Sequence, residues 1–136
     1  MAAVGAVVLL FAGADRAVAQ ERHWMIVAIS GETTTYLDSL GIKRVGSGWL
    51  EVWTRETYAT PRQSRDGAYD SVVGRRWIEC EGARVRTMQS AHYYGAALVT
   101  RNSTSASRRR WYSVRAGPGY QLVQTACRIA GNPAQP

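Results

Sequence analysis

The residues with the most reactive chemistry in this chain sit in one stretch, "RRWIECEGARVR", residues 75–86. Cys80 lies between Arg75/Arg76 and Arg84/Arg86, and neighbouring cations lower a thiol's pKa and favour the nucleophilic thiolate. A thiolate nucleophile also needs a base, usually a histidine within hydrogen-bond reach. The chain offers His23 and His92. His92 lies well past the turn expected at Glu81-Gly82, where the cross-strand partners are Arg84 and Val85, so a Cys–His pair is not forced. Structural zinc requires four Cys or His ligands at short spacings, and two cysteines without a C-x-x-C do not supply them. Glu79 and Glu81 flank Cys80 and would share a strand face. They could act as paired carboxylates in a small periplasmic hydrolase, or bridge to Arg75 and Arg84. Nucleophile-elbow, zinc-helix and phosphate-loop motifs are absent.

The other cysteine favours a structural reading. Residues 1–19, "MAAVGAVVLLFAGADRAVA", carry an apolar run of signal-peptide length and a small-residue cleavage pattern at Ala17-Val18-Ala19. No Lys or Arg precedes that run, which leaves the true start open. Export places Cys80 and Cys127 in an oxidising compartment, where an even count favours pairing. Gln20 rather than cysteine follows the cleavage pattern, so no lipid anchor is expected there. The mature domain is expected over 20–136, with a tail from about residue 131.

The elements that must position these groups are short strands and one helix. "HWMIVAI" (23–29) is a continuous apolar run, expected to be central or buried on both faces. "TYLDS" and "GIKRVG" read as short strands either side of Gly41. "WLEVWTRETY" (49–58) sets Trp49, Glu51, Trp53 and Arg55 against Leu50, Val52, Thr54 and Glu56. Residues 59–73, with Pro61 and Asp66-Gly67, are expected to form a loop. "GRRWIEC" (74–80) places Arg76, Ile78 and Cys80 on one face and Arg75, Trp77 and Glu79 on the other. "ARVRTMQSAHYYG" (83–95) is its return strand, with Val85, Gln89, Ala91 and Tyr93 on one face and Arg84, Arg86, Met88 and His92 on the other. Residues 96–100 extend it, 101–107 form a polar loop, and "RRRWYSVR" (108–115) is the last strand. In "GPGYQLVQTACRIAG" (117–131) the period changes: Leu122, Val123, Ala126 and Cys127 recur at helical spacing, between Pro118 and Gly131. Cys127 on an apolar helix face and Cys80 beside Ile78 would both face the space between helix and sheet.

The order of these segments resembles the surface-adhesin protein E family of Gram-negative bacteria. The residues that carry the likeness are "HWMIVAI", "TYLDSLGIKRVG", "WLEVWTRETY", "IECEGARVRTMQSAHYY", "RWYSVRAGPG" and the late "ACRI". The resemblance implies an antiparallel sheet with one C-terminal helix packed on one face and tethered by a disulfide, which agrees with the reading of the segments: an α+β fold with a twisted antiparallel sheet of about six strands. It also implies an exported protein with a binding role and no cofactor; a non-catalytic, adhesin-like binding protein is the leading expectation, and a periplasmic inhibitor or envelope-assembly factor is an alternative beside the hydrolase. The family turn usually reads Pro-Gly-Ser where this chain has "GPGY" (117–120), so its helix cap differs.

The surface chemistry is basic. The net charge of +7 comes from sixteen arginines and one lysine, Lys43, which favours anionic envelope or extracellular partners such as acidic glycans, or a host protein. Export argues against nucleic acid as the natural partner, and no second apolar run is long enough to span a bilayer. The candidate binding residues are Arg84, Arg86, Arg108, Arg109, Arg110 and Tyr94, with the segments 59–73 and 101–107 as alternatives. Aromatic residues among them, Trp111 included, are expected mainly to fill the core. An open sheet also makes a homodimer an expectation.

Overall fold

Alternation of apolar and polar residues builds an antiparallel sheet, seen in a computed structural model that describes residues 21–46, 48–103 and 110–131. The strands are β1 (Trp24–Ser30), β2 (Thr33–Asp38), β3 (Lys43–Val45), β4 (Trp49–Ser64), β5 (Gly67–Glu79), β6 (Arg84–Tyr94), β7 (Ala97–Ser103) and β8 (Tyr112–Ser113), followed by α1 (Gly117–Ile129). Six of them run in the order β1-β2-β4-β5-β6-β7, while β3 adds to β4 and β8 to β6. The leader expected at 1–19, the loop residues 104–107, Arg108, Arg109 and the tail after Gly131 lie outside the described residues.

One face of the sheet forms the core. Leu37, Leu50, Val52, Ile78 and Val85 are buried against Leu122, Val123, Ala126 and Cys127 of α1. Each large apolar side chain removed from water contributes about 1.5–3 kcal/mol. The helix lies mainly against β1 and β2 and reaches β4 and β6. Its apolar stripe is the one read from the sequence. Pro118 stands in the first turn, where its missing N–H leaves no bond unmade. Gly131 ends the helix at φ 79°, a left-handed conformation that glycine adopts without strain, and its N–H donates to the Arg128 carbonyl. Arg44 of β3 donates to the Ala130 carbonyl and ties down the same end. Cys80 and Cys127 form a disulfide inside this core.

Five expectations are corrected. Residues 59–73 are not a loop: β4 and β5 continue through them as a long hairpin turning at Arg65-Asp66. Pro61 falls in the register shift between Thr57 and Arg62, where a strand tolerates a missing donor. Ser64 Oγ accepts from the Asp66 N–H and donates to the Gly67 carbonyl, so side-chain bonds hold the turn. Strand β1 is not central; it is the outermost strand beside β2, with Ile26 53% and Ile29 70% exposed. Its apolar run reflects contact with α1 on one side, where Ala28 is buried. In β6 the faces exchange midway. Arg84 and Arg86 share a side with Gln89, because an irregularity between the Arg76–Thr87 and Arg75–Gln89 pairs inserts Met88 as an extra, buried residue. Among the described residues of the expected last strand, only Tyr112–Ser113 pair as a strand, and Arg101–Ser103 belong to β7 rather than to a loop.

The turn after β2 is tightly built. Asp38 is 4% exposed, accepts from the His23 N–H at 3.2 Å and pairs with Arg22 at 3.3 Å. A Cβ at Gly41 would lie 2.3 Å from the Asp38 carboxylate. Gly41→Ala is therefore expected to cost about 1–3 kcal/mol, the usual penalty for overpacking, read as a lower urea midpoint with an unchanged slope.

Candidate binding face

The two faces of the sheet have different fates. Register places Trp49 opposite Glu79, Glu51 opposite Trp77 and Trp53 opposite Arg75. It carries the same side onward from Trp77 to Arg86 and from Glu79 to Arg84. At the other end of the sheet Trp24 pairs with Asp38, whose partner Arg22 lies 3.9 Å over the Trp53 ring. Trp111 joins from beside β8, with its ring 5.4 Å from Trp49, which is itself 5.4 Å from Trp77. All five tryptophans thus gather, half-buried, on the side of the sheet opposite the helix.

Arginines interleave with these rings and carboxylates hold several in place. Glu51 accepts from the Trp77 indole N–H at 3.0 Å and from Arg75 at 3.2 Å. Arg84 pairs with Glu79, and that hydrogen bond keeps its guanidinium protonated beyond the ordinary arginine value. Arg84 and Arg86 lie 5.4 and 5.7 Å from the Trp111 ring centroid, within cation–π range. Opposite charges and aromatic–cation contacts across strands each add some tenths of a kcal/mol. Their larger effect is to fix the rings in position. Arg22, Arg55, Arg75, Arg84 and Arg86 on this face outweigh Asp38, Glu51 and Glu79, so it retains positive character.

The expected site residues separate. Arg84 and Arg86 belong to this face, and exposed Arg110 adjoins Trp111 in the chain. Tyr94 is exposed at the far end of β6, where it pairs with Ala97, away from the tryptophans. Arg108 and Arg109 lie outside the described residues. Cys80 is no nucleophile, because its sulfur is bonded to Cys127. His92 stacks on Tyr69 at 4.4 Å and faces no thiol. Glu79 is engaged by Arg84, while Glu81 is exposed in the turn. It lines a cavity of about 470 Å³ with Ala83, Val114, Arg115 and Tyr120. Among the described residues no group of His, Cys, Asp and Glu could hold a metal.

Sequence reasoning assigned the aromatics mainly to the core and missed Trp24, Trp53, Trp77 and Arg22 as surface groups. The signal was present in the alternation of 49–55 and 75–79, which set tryptophan with charge and apart from the apolar residues. The register that joins those faces was not.

On the helix side of the sheet, Tyr58 is 8% exposed and donates its hydroxyl to Glu56 at 2.7 Å, beneath Arg62 at 3.8 Å. Burial first, and then the bond to Glu56, push its phenol well above the ordinary value of 10.0. The unfolded chain releases this proton first. Stability is therefore expected to fall as pH rises past about 10, and Tyr58→Phe to flatten that decline. Urea unfolding across the alkaline range measures it.

Among the described residues, one side of the sheet is closed by a disulfide-tethered helix and the other is left uncovered, which defines a small α+β domain with a broad accessible face. The family model described as surface-adhesin protein E matches residues 24–128, and the chain belongs to that family of adhesin-like surface proteins. Its fold is similar to that of Haemophilus influenzae protein E, solved as crystal form II. The TM-score is 0.59 at 12% identity, covering 80% of this chain and 90% of that one. No curated protein matches the chain. No described helix is long and apolar enough to cross a membrane.

Proposed function

We propose that this protein is exported and acts without catalysis, binding envelope or extracellular partners through the tryptophan–arginine face of its sheet. The observation that carries the reading is the gathering of all five tryptophans, with arginines between them, on the face that α1 leaves open. The family supports an adhesin-like role and the basic charge supports anionic partners. A hydrolase built on Glu79 and Glu81 has less support, because Arg84 occupies the Glu79 carboxylate. A homodimer formed by strand pairing would use an outer strand of the sheet, β1 or β7, and sedimentation reads the assembly state directly.

Two measurements test the proposal. Fractionation with surface protease treatment is expected to find the protein exposed outside the cell, and a wholly periplasmic pool would remove the adhesin role. Binding of the purified chain to lipopolysaccharide-coated and extracellular-matrix-coated surfaces is expected to weaken as salt rises. Joint replacement of Arg84 and Arg86 by Glu should reduce that binding, and undiminished binding would exclude this face.

A further inference from the structure

We infer that the ligand of this face is an acidic polysaccharide, an extended chain of pyranose rings bearing carboxylate or sulfate groups. The inference rests on the proposed role of the face in binding and names what it binds. Three features of the face carry it.

The first is the mixture of groups. Indole rings offer an apolar π surface, onto which the C–H face of a sugar ring can stack. Guanidinium groups offer a planar fork that matches carboxylate and sulfate oxygens two at a time. A lipid surface also accepts tryptophan and arginine together, but it does not require the rings to be held in fixed positions, and an acidic peptide needs charge with pockets for side chains. Rings and forks in alternation suit a ligand whose every unit presents both an apolar face and an anion.

The second is extent. Trp49 lies 5.4 Å from Trp77 and 5.4 Å from Trp111, with the rings tilted at 33° and 57°, and Arg84 and Arg86 lie beside Trp111. The three rings form one continuous aromatic surface edged by cations, broader than a single small anion needs.

The third is fixed geometry. Glu51 holds both Arg75 and the Trp77 indole, Glu79 holds Arg84, and Arg22 lies against Trp53. These side chains are ordered before any ligand arrives, so binding forfeits less conformational freedom. Among the described residues, five arginines of the face stand against three carboxylates. That excess gives complementarity to a polyanion.

The test uses the purified chain and calorimetry with four probes: a heparin-derived hexasaccharide, the same hexasaccharide after desulfation and carboxyl reduction, inorganic polyphosphate, and vesicles containing phosphatidylglycerol. Trp111→Ala and Arg84→Gln are compared with the parent, with circular dichroism and an unreduced mass confirming that each variant is folded and disulfide-bonded. The acidic hexasaccharide is expected to bind, to shift tryptophan fluorescence, and to bind about tenfold to a hundredfold more weakly to Trp111→Ala, taking the loss of one ring that stacks on a nucleic-acid base as the scale. The neutral hexasaccharide should bind at least tenfold more weakly than the acidic one. Equal binding of polyphosphate or vesicles, insensitive to Trp111→Ala, would overturn the inference in favour of plain charge. If the hexasaccharide fails to bind while matrix-coated surfaces still retain the parent and lose the Arg84/Arg86 variant, the glycan assignment falls and the binding role of the face stands. If neither binds, both fall.

Discussion

Replacing Cys80 and Cys127 together with serine is expected to lower the unfolding free energy by about 4 kcal/mol. The bond closes a loop spanning 47 positions, and the chain-entropy relation gives that magnitude for a loop of this length. A domain of this kind has about 5–15 kcal/mol in all, so the loss is a large share. The structural reason is local. A helix of 13 residues is marginal by itself in water, and α1 has neither a side-chain N-cap nor an acidic residue in its first turn. Packing and the tether must hold it. The double variant should therefore show a urea midpoint roughly 2 M lower, for a slope of about 2 kcal/mol/M. Helical signal should be lost early and sheet signal late. A midpoint within a few tenths of a molar of the parent would show that packing alone secures the helix.

The second large effect is expected from Leu122→Ala. Leu122 is 1% exposed in the cluster where α1 meets Leu37, Leu50, Val52 and Ile78. Truncation there loses transfer energy and leaves a cavity, about 3 kcal/mol in total. The two changes share one element, so they should not add. With the disulfide already absent, a helix that has partly left the sheet loses less from Leu122→Ala, and a double-mutant cycle should show a coupling of about 0.5–3 kcal/mol. Strict additivity would mean that α1 stays docked without its tether. Neither change touches the tryptophan face directly. The Cys80 hairpin does lead into Arg84 and Arg86, so loosening it should also weaken binding there.

Much of this was legible in the residues. The period change at Gly117 identified α1, and its stripe of Leu122, Val123, Ala126 and Cys127 is the buried one. Alternation in 49–56 and 74–80 assigned the two faces of β4 and β5 correctly, and an even pair of cysteines behind an expected export leader pointed to the bond that forms. The failures have physical causes. Residues 59–63 and the turn at 65–66 face solvent while 67–73 are half-buried or, at Ser71, buried, and the polarity of the segment was read as loop although backbone pairing continues. In β1 an apolar run was read as burial on both faces, whereas one face serves α1 and the other remains exposed. In β6 one extra residue, Met88, reversed the faces of everything after it, and no local pattern announces a bulge.

The sequence by itself therefore determined the composition of each face: which residues alternate together, which helix stripe is apolar, and that both cysteines lie on apolar sides. These follow from local geometry, a period of two or of 3.6 residues. Only the tertiary structure decided which faces meet. Register set Trp49, Trp53 and Trp77 beside Arg75, Arg84 and Arg86, and the docking of α1 on one side left that assembly open. Register and docking are long-range choices, made by the fit of distant segments to one another, and the spacing of neighbours along the chain does not contain them.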